Sequence, residues 1–493
     1  MTGKQRFFLG IFAILAWQVP AAETTALFGI RVVDEQTGRG IPLIELRTVN
    51  DIRLVTDNAG WIAFDEPGLM GREVWFYLSH HPGYTKEKDG FGYTGARFKM
   101  QPGGRATLKL KRTNVAERIG RLTGQGLFRH CERLGEPCPL PNLNASGVMG
   151  QDSVQATPWN NRIFWLWGDT NLPGYPLGNF QTTAATTPAH PDPEKGLAFE
   201  YFMDPKKPET VRHMMPVKEP GAVWLFGLTA LPGTGGKDAL LAHWGRHKGL
   251  EPPESQGIAV FNEATGVFEN RTTLDGKETW RFPRGNSVVV EEAGARWLAF
   301  ASPFLHARVS PSVPDALAPE KYEALVFDPS SGEWVWQREK PPTTQEEETR
   351  LLKDGRMQPE RAKYQITDAA TGEPVLVHGA SVRWNAWRKR FILIALQKGT
   401  RNAPSFLGEV WYAESTSAFG PWRKAVKIAS HPRYSYYNPV HHSFLDAEDG
   451  KIIYFEGTYS LEFSGNPLAP ARYDYNQLMY RLDLSDPRLE AAR

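Results

Sequence analysis

The chain has little of three features that mark nucleic-acid-binding, zinc-binding and membrane-spanning proteins. Its 493 residues contain 57 Lys and Arg against 55 Asp and Glu, so it lacks the basic excess that favours nucleic acid phosphates. A zinc site would need more ligands than the segment around the chain's two cysteines offers, although His130 is adjacent. After the N-terminal apolar run, no stretch is long and apolar enough to span a bilayer. We therefore predict no nucleic acid partner, no stable membrane insertion and no metal site.

The N-terminus has the order of a cleavable signal peptide. Two basic residues precede an apolar run from Phe7 to Trp17, and small residues follow at Ala21 and Ala22. We predict a signal peptide over residues 1–22 and a secreted or periplasmic mature protein. In that oxidising compartment, Cys131 and Cys138 of "HCERLGEPC" are predicted to form a local disulfide that staples a loop, with two free thiols as the alternative.

Aromatic residues and turn formers are abundant. The 16 Trp and 16 Tyr beside 38 Pro and 46 Gly indicate many turns and many flat aromatic faces, a mixture common in all-β proteins that handle sugars. The length predicts two or more domains.

Residues 26–112 show short β-like runs separated by turn formers, with no sustained helical period. The segments "VVDEQTGRGIPLIEL", "TDNAGWIAF" and "HHPGY" resemble the transthyretin-like or carboxypeptidase-regulatory-like β-sandwich. That resemblance implies an accessory module. Residues 113–149, which include both cysteines, are predicted to bridge this module to the next domain.

Residues 150–493 are predicted to form a long array of β-hairpins. The turns "FNEATGVF", "FDPSSGEW" and "LDAEDGKI" share Asp or Asn, which bonds its own backbone, followed by Gly, which supplies a positive φ. About 65 to 75 residues per unit gives five blades of a β-propeller. The predicted fold class is all-β, an N-terminal β-sandwich followed by a five-bladed β-propeller. Six blades, a large sandwich and a β-helix are the alternatives.

Two aspartates stand at the ends of "DSVQATPWNNRIFWLWGD". Folding this hairpin between residues 160 and 161 places Asp152 opposite Asp169. Close carboxylates raise one pKa, which gives a proton donor beside an ionised partner, as glycosidic cleavage requires. The alternative is that each aspartate only bonds the backbone of its own turn.

The motifs "GQDS", "FWLWGDT", "GASVRWNAWRKRFI" and "YDYNQLMYRLDL" resemble five-bladed propeller glycosidases. They are similar to a formerly uncharacterised domain family that includes bacterial endo-D-arabinanases, over residues 150–484. The resemblance implies an exported glycan hydrolase whose catalytic pair is Asp152 and Asp169. The sandwich and the insert at residues 341–361 are not part of that pattern, so the substrate need not be arabinan.

A second group of candidate residues lies in "YYNPVHHSFLDAEDGKIIYFEGTYS". Folding about Glu448 places Glu456 opposite residue 440 or 441, so a carboxylate and a histidine share a strand end. We predict Glu456 as a third catalytic carboxylate, with His441 or His442 holding a sugar hydroxyl or tuning the acid. The alternative is a buried histidine and an ion-pair partner.

Further side chains are candidates for contacts with the sugar. Trp167 shares a strand face with Asp169, which favours stacking on a sugar ring. Arg284 before Asn286 is suited to an acidic or hydroxyl-rich ligand, although a turn with a solvated Arg is the commoner case. The remaining candidate is Asn438. We predict no cofactor, leave open an ion on the propeller axis, and expect a monomer that acts on a polysaccharide or oligosaccharide.

Three functions fit these residues. The first is a glycoside hydrolase with paired carboxylates. The second is a polysaccharide lyase on the same scaffold, in which His442, a Tyr and an Arg neutralise a uronate and abstract a proton. The third is a propeller that binds glycans without catalysis.

Overall fold

The computed structural model describes residues 26–124, 128–140, 146–179, 181–399 and 405–493, so the predicted signal peptide lies outside the described residues. The described chain is nearly all-β, as predicted. No helix in these ranges is long and apolar enough to cross a membrane. The α-helices of the described chain are α1 (His130–Leu134), α2 (Val313–Ala316) and α3 (Gln345–Lys353).

The N-terminal residues form two four-stranded sheets whose apolar side chains pack into one cluster. Ile30 and Ile62 of the first sheet lie in this cluster with Leu46 and Phe76 of the second. The first sheet contains β1 (Phe28–Asp34), β4 (Trp61–Phe64), β6 (Tyr84–Thr85) and β8 (Arg105–Arg112). The second contains β2 (Glu45–Thr48), β3 (Arg53–Val55), β5 (Glu73–His80) and β7 (Gly95–Lys99).

The rest of the described chain contains five sheets of four or five strands, numbered sheet 1 to sheet 5 in chain order. Sheet 1 contains β11 (Gln155–Trp159), β12 (Arg162–Trp167), β15 (Thr183–Pro188) and β16 (Glu200–Tyr201). Sheet 2 contains β19 (Ala222–Pro232), β20 (Asp238–His247), β21 (Ser255–Asn262) and β22 (Val267–Leu274). Sheet 3 contains β23 (Asn286–Glu292), β24 (Ala295–Ala301), β25 (Leu305–Val309), β26 (Glu323–Asp328) and β27 (Glu333–Gln337).

Sheets 4 and 5 complete the series. Sheet 4 contains β29 (Val377–Asn385), β30 (Arg390–Gln397), β31 (Glu409–Ser415), β32 (Lys424–Ser430) and β28 (Thr367–Asp368). Sheet 5 contains β33 (Ser435–His441), β34 (Ile452–Ser460), β35 (Asn476–Asp483) and β9 (Glu117–Arg121). Smaller sheets are formed by β10 (Gly150–Gln151), β13 (Thr170–Leu172) and β14 (Tyr175–Asn179), and by β17 (Met203–Asp204) and β18 (Lys207–Val211).

Each consecutive pair of these five sheets buries a shared apolar cluster. Phe164 of sheet 1 packs in one cluster with Leu225 of sheet 2, and the same holds for sheets 2 and 3, 3 and 4, and 4 and 5. A fifth cluster joins the last sheet to the first, with Tyr454 and Met479 beside Trp165. Apolar burial is the main favourable term in folding, so these clusters hold the sheets in a cycle.

Hydrogen bonds join one edge strand of each of the five sheets, or a residue close to it, in the same cycle; these edge strands are β11, β19, β23, β29 and β33. The Leu228 N–H donates to Gln155 Oε1 at 2.7 Å, and Ser287 Oγ donates to the Leu228 carbonyl at 2.6 Å. The step between sheets 5 and 1 is made by Asn438 Nδ2, which donates to Ser153 Oγ at 2.8 Å. The remaining steps join Asn286 Nδ2 to the Ala380 carbonyl and the His441 N–H to Ser381 Oγ.

Sheet 5 takes one strand from an earlier part of the chain. Its strand β35, which carries most of "YDYNQLMYRLDL", lies inside the sheet, between β34 and β9. The outermost strand of sheet 5 is β9, whose residues 117–121 come from the segment predicted to be a bridge. Sheet 5 therefore combines strands from before and after the other four sheets.

The two N-terminal sheets contact sheet 5 through buried polar groups. Arg118 Nε donates to the Pro42 carbonyl at 3.0 Å, and Tyr473 Oη donates to the Thr56 carbonyl at 2.7 Å. The predicted disulfide between Cys131 and Cys138 is present.

Candidate active site

The hairpin that carries the two aspartates has the predicted register. Asn160 and Asn161 form its turn with φ values of 46° and 62°, the left-handed conformation that a tight two-residue hairpin turn requires. Gln155 consequently pairs with Leu166, and the remaining four pairs between β11 and β12 have the same register. The prediction that Asp152 stands opposite Asp169 is therefore confirmed at the level of the backbone.

Asp152 and Asp169 lie between two antiparallel strand pairings, β11 with β12 on one side and β10 with β13 on the other. The Gly168 N–H donates to the Asp152 carbonyl at 2.8 Å, and the Asp152 N–H donates to the Asp169 carbonyl at 3.2 Å. Beyond them, β10 pairs with β13 in the same register. Because pairing continues on both sides, the backbone fixes the two aspartates opposite each other.

The Asp152 carboxyl group is enclosed by two tyrosines and a glycine. Tyr437 Oη donates to Asp152 Oδ2 at 3.0 Å, and the Tyr475 side chain lies beside the carboxyl. Asp152 Oδ1 is buried against Gly168 and has no hydrogen-bond partner in the described part of the chain. Burial and the neighbouring Asp169 carboxylate raise the pKa of Asp152 to about 7.

Asp169 has a different partner. Trp224 Nε1, from the first strand of sheet 2, donates to Asp169 Oδ1 at 2.7 Å. Burial raises the pKa of Asp169 to about 6, while this hydrogen bond acts in the opposite direction. The two carboxyl groups therefore titrate near neutral pH in different environments, as an acid and its ionised partner do.

Two adjoining cavities lie at the centre of the cycle. The larger, of about 920 Å³, is lined by both aspartates, and the smaller has a volume of about 570 Å³. They share lining residues, among them Ser153, Trp224 and Asn438. All five sheets line the smaller cavity, through Gln155, Phe226, Asn286, Ala380 and Val440. The smaller cavity therefore lies where the edge strands β11, β19, β23, β29 and β33 converge.

Four non-glycine residues that line the two cavities have left-handed backbones, one of them Phe463 with a φ of 61°. Ser153 follows Asp152 and has a φ of 53°, while Asn438 follows Tyr437 and has a φ of 52°. Tyr475, beside the Asp152 carboxyl, has a φ of 57°. Such conformations cost about 1–3 kcal/mol each outside glycine and cluster at functional sites. Their concentration around one carboxyl group supports a functional role for it.

The structure brings some of the predicted sugar contacts to the cavities and excludes another. Arg284, Asn286 and Asn438 line the smaller cavity. The prediction for Trp167 is wrong, because its side chain is only 1% exposed and packs against Trp165 between sheets 5 and 1. Residues of sheet 5 cover Trp167, whereas the Asp169 carboxyl bonds Trp224 of sheet 2.

The second predicted group does not reach the cavities. Val440 pairs with Glu456 as predicted, and His442 Nε2 lies 2.7 Å from Glu456 Oε1. Both side chains are only 1% exposed, and His442 packs against Trp165. His441 is also fully buried and bonds Asp446. The prediction that Glu456 is catalytic is therefore wrong, and so is the prediction that His441 or His442 contacts the sugar. Glu456 pairs with His442, and His441 pairs with Asp446, away from the cavities.

Several site residues were not predicted from the sequence. Trp224 and Tyr437 bond the two aspartates but come from sheets 2 and 5, so no spacing in the sequence relates them to the hairpin. Leu250, Phe406 and Phe463 line the larger cavity and remain exposed. Their apolar side chains and turn-rich surroundings were the available signals, and these occur throughout the chain.

The raised carboxyl pKa values predict a pH dependence of stability. Asp152 and Asp169 bind more protons in the folded chain than in the unfolded chain between about pH 4 and pH 7, so their contribution to the free energy of unfolding falls as pH rises through this window. Replacing Asp152 with Asn removes one of these titrations. We expect urea unfolding to show Asp152→Asn gaining at least about 1 kcal/mol relative to the wild type between pH 4.5 and pH 7.5. Parallel stability curves would contradict this environment for Asp152.

No family model and no curated protein matches the sequence. Among solved structures, the chain is similar to a "putative hydrolase" from Bacteroides ovatus, with 14% identity, 69% of this chain and 86% of that chain covered, and a TM-score of 0.44. It is also similar to an exo-1,5-α-L-arabinanase from a bovine ruminal metagenomic library, with 10% identity, 68% and 93% covered, and a TM-score of 0.36. A third is an α-L-arabinanase from Cellvibrio cellulosa, with 10% identity, 67% and 90% covered, and a TM-score of 0.34.

Proposed function

We propose that the protein is a glycoside hydrolase that cleaves a polysaccharide or oligosaccharide with Asp152 and Asp169. The observation that carries the proposal is the pair itself, held opposite each other in one hairpin at the wall of a large cavity, with both pKa values raised. Like charges directly opposed on neighbouring strands destabilise a fold, so a pair kept there needs a role beyond stability.

The two environments suggest which carboxyl group holds the proton. Asp152 has the higher pKa and a buried oxygen without a partner, which favours its neutral form. Asp169 accepts the Trp224 N–H, which favours its ionised form. We assign Asp152 as the general acid that protonates the leaving oxygen, and Asp169 as the carboxylate that activates water or attacks the sugar carbon.

We further propose that the five sheets are the blades of a β-propeller and that the N-terminal sheets form a β-sandwich. Shared clusters between all consecutive sheets, including the last and the first, support the propeller. The single cluster shared by the two N-terminal sheets supports the sandwich. Ring closure removes free sheet edges, which is the usual benefit of this architecture.

Export is also a proposal. The signal-like N-terminus and the disulfide between Cys131 and Cys138 support secretion or a periplasmic location, because disulfides persist in oxidising compartments. We expect the mature protein to act as a monomer on a soluble or surface glycan.

A product assay separates the three candidate functions. The protein would be incubated with arabinan, galactan, xylan, polygalacturonate and alginate. New reducing ends without near-ultraviolet absorbance support a hydrolase. An unsaturated, absorbing product would instead support the lyase, whose predicted base His442 lies in the core. Glycan retention without any product would indicate a binding protein.

Replacing Trp224 with Phe tests how Asp169 is kept ionised. The variant keeps an aromatic ring but loses the N–H that donates to Asp169 Oδ1, so the pKa of Asp169 should rise. We expect the acidic limb of the kcat profile to move to higher pH, with little change well above that limb. Trp384→Phe, at an exposed site on sheet 4, is the matched control. An unshifted acidic limb would show that the hydrogen bond does not tune catalysis.

A further inference from the structure

The smaller cavity contains a guanidinium group without an acidic partner. Arg284 lines this cavity and forms no salt bridge in the described part of the chain, and burial alone lowers its pKa. Two other arginines of this region are paired, Arg246 with Glu254 at 2.5 Å and Arg281 with Glu278 at 2.7 Å. A partly buried guanidinium is costly unless an anion or hydrogen-bond acceptors reach it. The Arg284 guanidinium is therefore available to bind an anionic group of a ligand.

Within the described residues, the Arg284 guanidinium donates one side-chain hydrogen bond to a neighbour. Its Nη2 has one long contact, 3.4 Å to Gln256 Oε1. Gln256 is itself fixed, because its Nε2 donates at 2.8 Å to the carbonyls of Asp275 and Glu278. A guanidinium has five N–H donors in a planar fork, so most of them are left for a ligand.

A second unpartnered polar atom lies beside this fork. His247 is only 3% exposed, lines both cavities, and its Nε2 has no hydrogen-bond partner within the described ranges. Its Nδ1 lies 2.8 Å from the Glu251 carbonyl, which can only accept, so Nδ1 carries the hydrogen and Nε2 of the neutral ring is an acceptor. His247 Nε2 and Arg284 Nη2 both lie within 3.2 Å of the point that a Cβ on Gly245 would occupy.

The pair of atoms matches an acidic sugar. A charged fork binds a carboxylate through two parallel hydrogen bonds, and a neighbouring lone pair accepts from a hydroxyl. A uronic acid carries a carboxylate and a hydroxyl on adjacent ring carbons. The His247 ring also contacts the Trp224 ring in a tilted arrangement, with ring centroids 4.7 Å apart, and Trp224 bonds Asp169. Arg284, His247 and Trp224 thus form a continuous wall that leads to the carboxylate pair.

We propose that Arg284 and His247 form a subsite for a sugar that bears an anionic group, so that the substrate is an acidic glycan. This inference rests on the proposed function for its link to cleavage, but binding tests it separately. The planar fork suits a carboxylate, and a sulfate ester on the sugar has the same charge and acceptor chemistry.

The test measures binding by calorimetry, with no turnover required. The ligands are galacturonate oligosaccharides, their carboxyl-reduced counterparts, and a sulfated neutral oligosaccharide of the same length. We expect the wild type to bind the uronate form at least about tenfold more tightly than the reduced form, as loss of a charge-assisted hydrogen bond implies. Arg284→Gln should abolish this preference, and Arg284→Lys should keep only part of it.

The control variant is Arg271→Gln, at an exposed site on sheet 2, which should keep the full preference. Circular dichroism and thermal unfolding verify that each variant is folded. An Arg284-dependent preference for the sulfated ligand alone would identify the anion as a sulfate ester. Equal binding of acidic and reduced ligands, or a preference that survives Arg284→Gln, would overturn the subsite. Arg284-dependent binding without cleavage of any glycan would instead overturn the hydrolase and leave the subsite in place.

Discussion

Replacing Asp152 or Asp169 with Asn is expected to lower kcat at least about a hundredfold on any glycan that the wild type cleaves, which is the usual scale of acid and base catalysis. Asn keeps the size of the side chain and an oxygen that accepts from Tyr437 or Trp224. It cannot transfer a proton or carry charge. The loss should therefore be in turnover, with substrate affinity retained.

The matched control is Asp65→Asn, an exposed aspartate of the N-terminal sheets. Initial rates across pH and calorimetric binding of the uncleaved oligosaccharide separate turnover from affinity. Because each single variant should remove most of the activity, the double variant should be little worse than either one. Near-normal turnover in both single variants would make the pair structural and would remove the basis of the proposed mechanism.

Replacing Gly168 with Ala is expected to lower kcat nearly as much as replacing either aspartate, although residue 168 has no reactive group. A Cβ at this position would lie 2.2 Å from Asp152 Oδ1, a distance that non-bonded atoms do not adopt. The carboxyl must then rotate away from the position in which Tyr437 and Tyr475 hold it. Since a displacement of about 1 Å can cost about a hundredfold in rate, we expect a fall in kcat of that order.

Gly276→Ala is the control for this substitution, because nothing lies within 4 Å of the Cβ that it would add. The Gly168→Ala variant should also lose the near-neutral titration of Asp152, which carbon-13 chemical shifts of the carboxyl group would detect. An unchanged rate with an unchanged titration would show that Asp152 does not need its observed position. A changed titration with an unchanged rate would separate the carboxyl environment from catalysis.

The parts of the site that were predicted correctly depend on contacts close in sequence. The two-residue turn at Asn160 and Asn161 fixes the register of its own hairpin, so Asp152 and Asp169 were placed opposite each other by counting. The same argument placed Glu456 opposite Val440. The disulfide closes only a short loop between Cys131 and Cys138, and its partners were the two cysteines of the chain.

The parts that were wrong depend on which sheet packs against which. Strand alternation predicted that Trp167 and Asp169 share a face, but it does not say which neighbouring sheet each side chain meets. Sheet 5 covers Trp167, and the same interface buries His442 with Glu456. Whether a candidate residue is buried depends on the sheet that packs against its hairpin. The sequence of the hairpin does not describe that neighbouring sheet.

The amino-acid sequence by itself determined the strand-rich character of this protein, its local turns and the opposition of two carboxylates, because each follows from backbone preferences over a few residues. Only the tertiary structure decided what surrounds that pair. Trp224, Tyr437 and Tyr475 lie far from the hairpin in the chain. Burial raises the pKa values of both carboxyl groups, and the hydrogen bonds from Trp224 and Tyr437 act in the opposite direction. Those energies depend on distance in space, and closing the cycle of sheets is what brings the groups within reach.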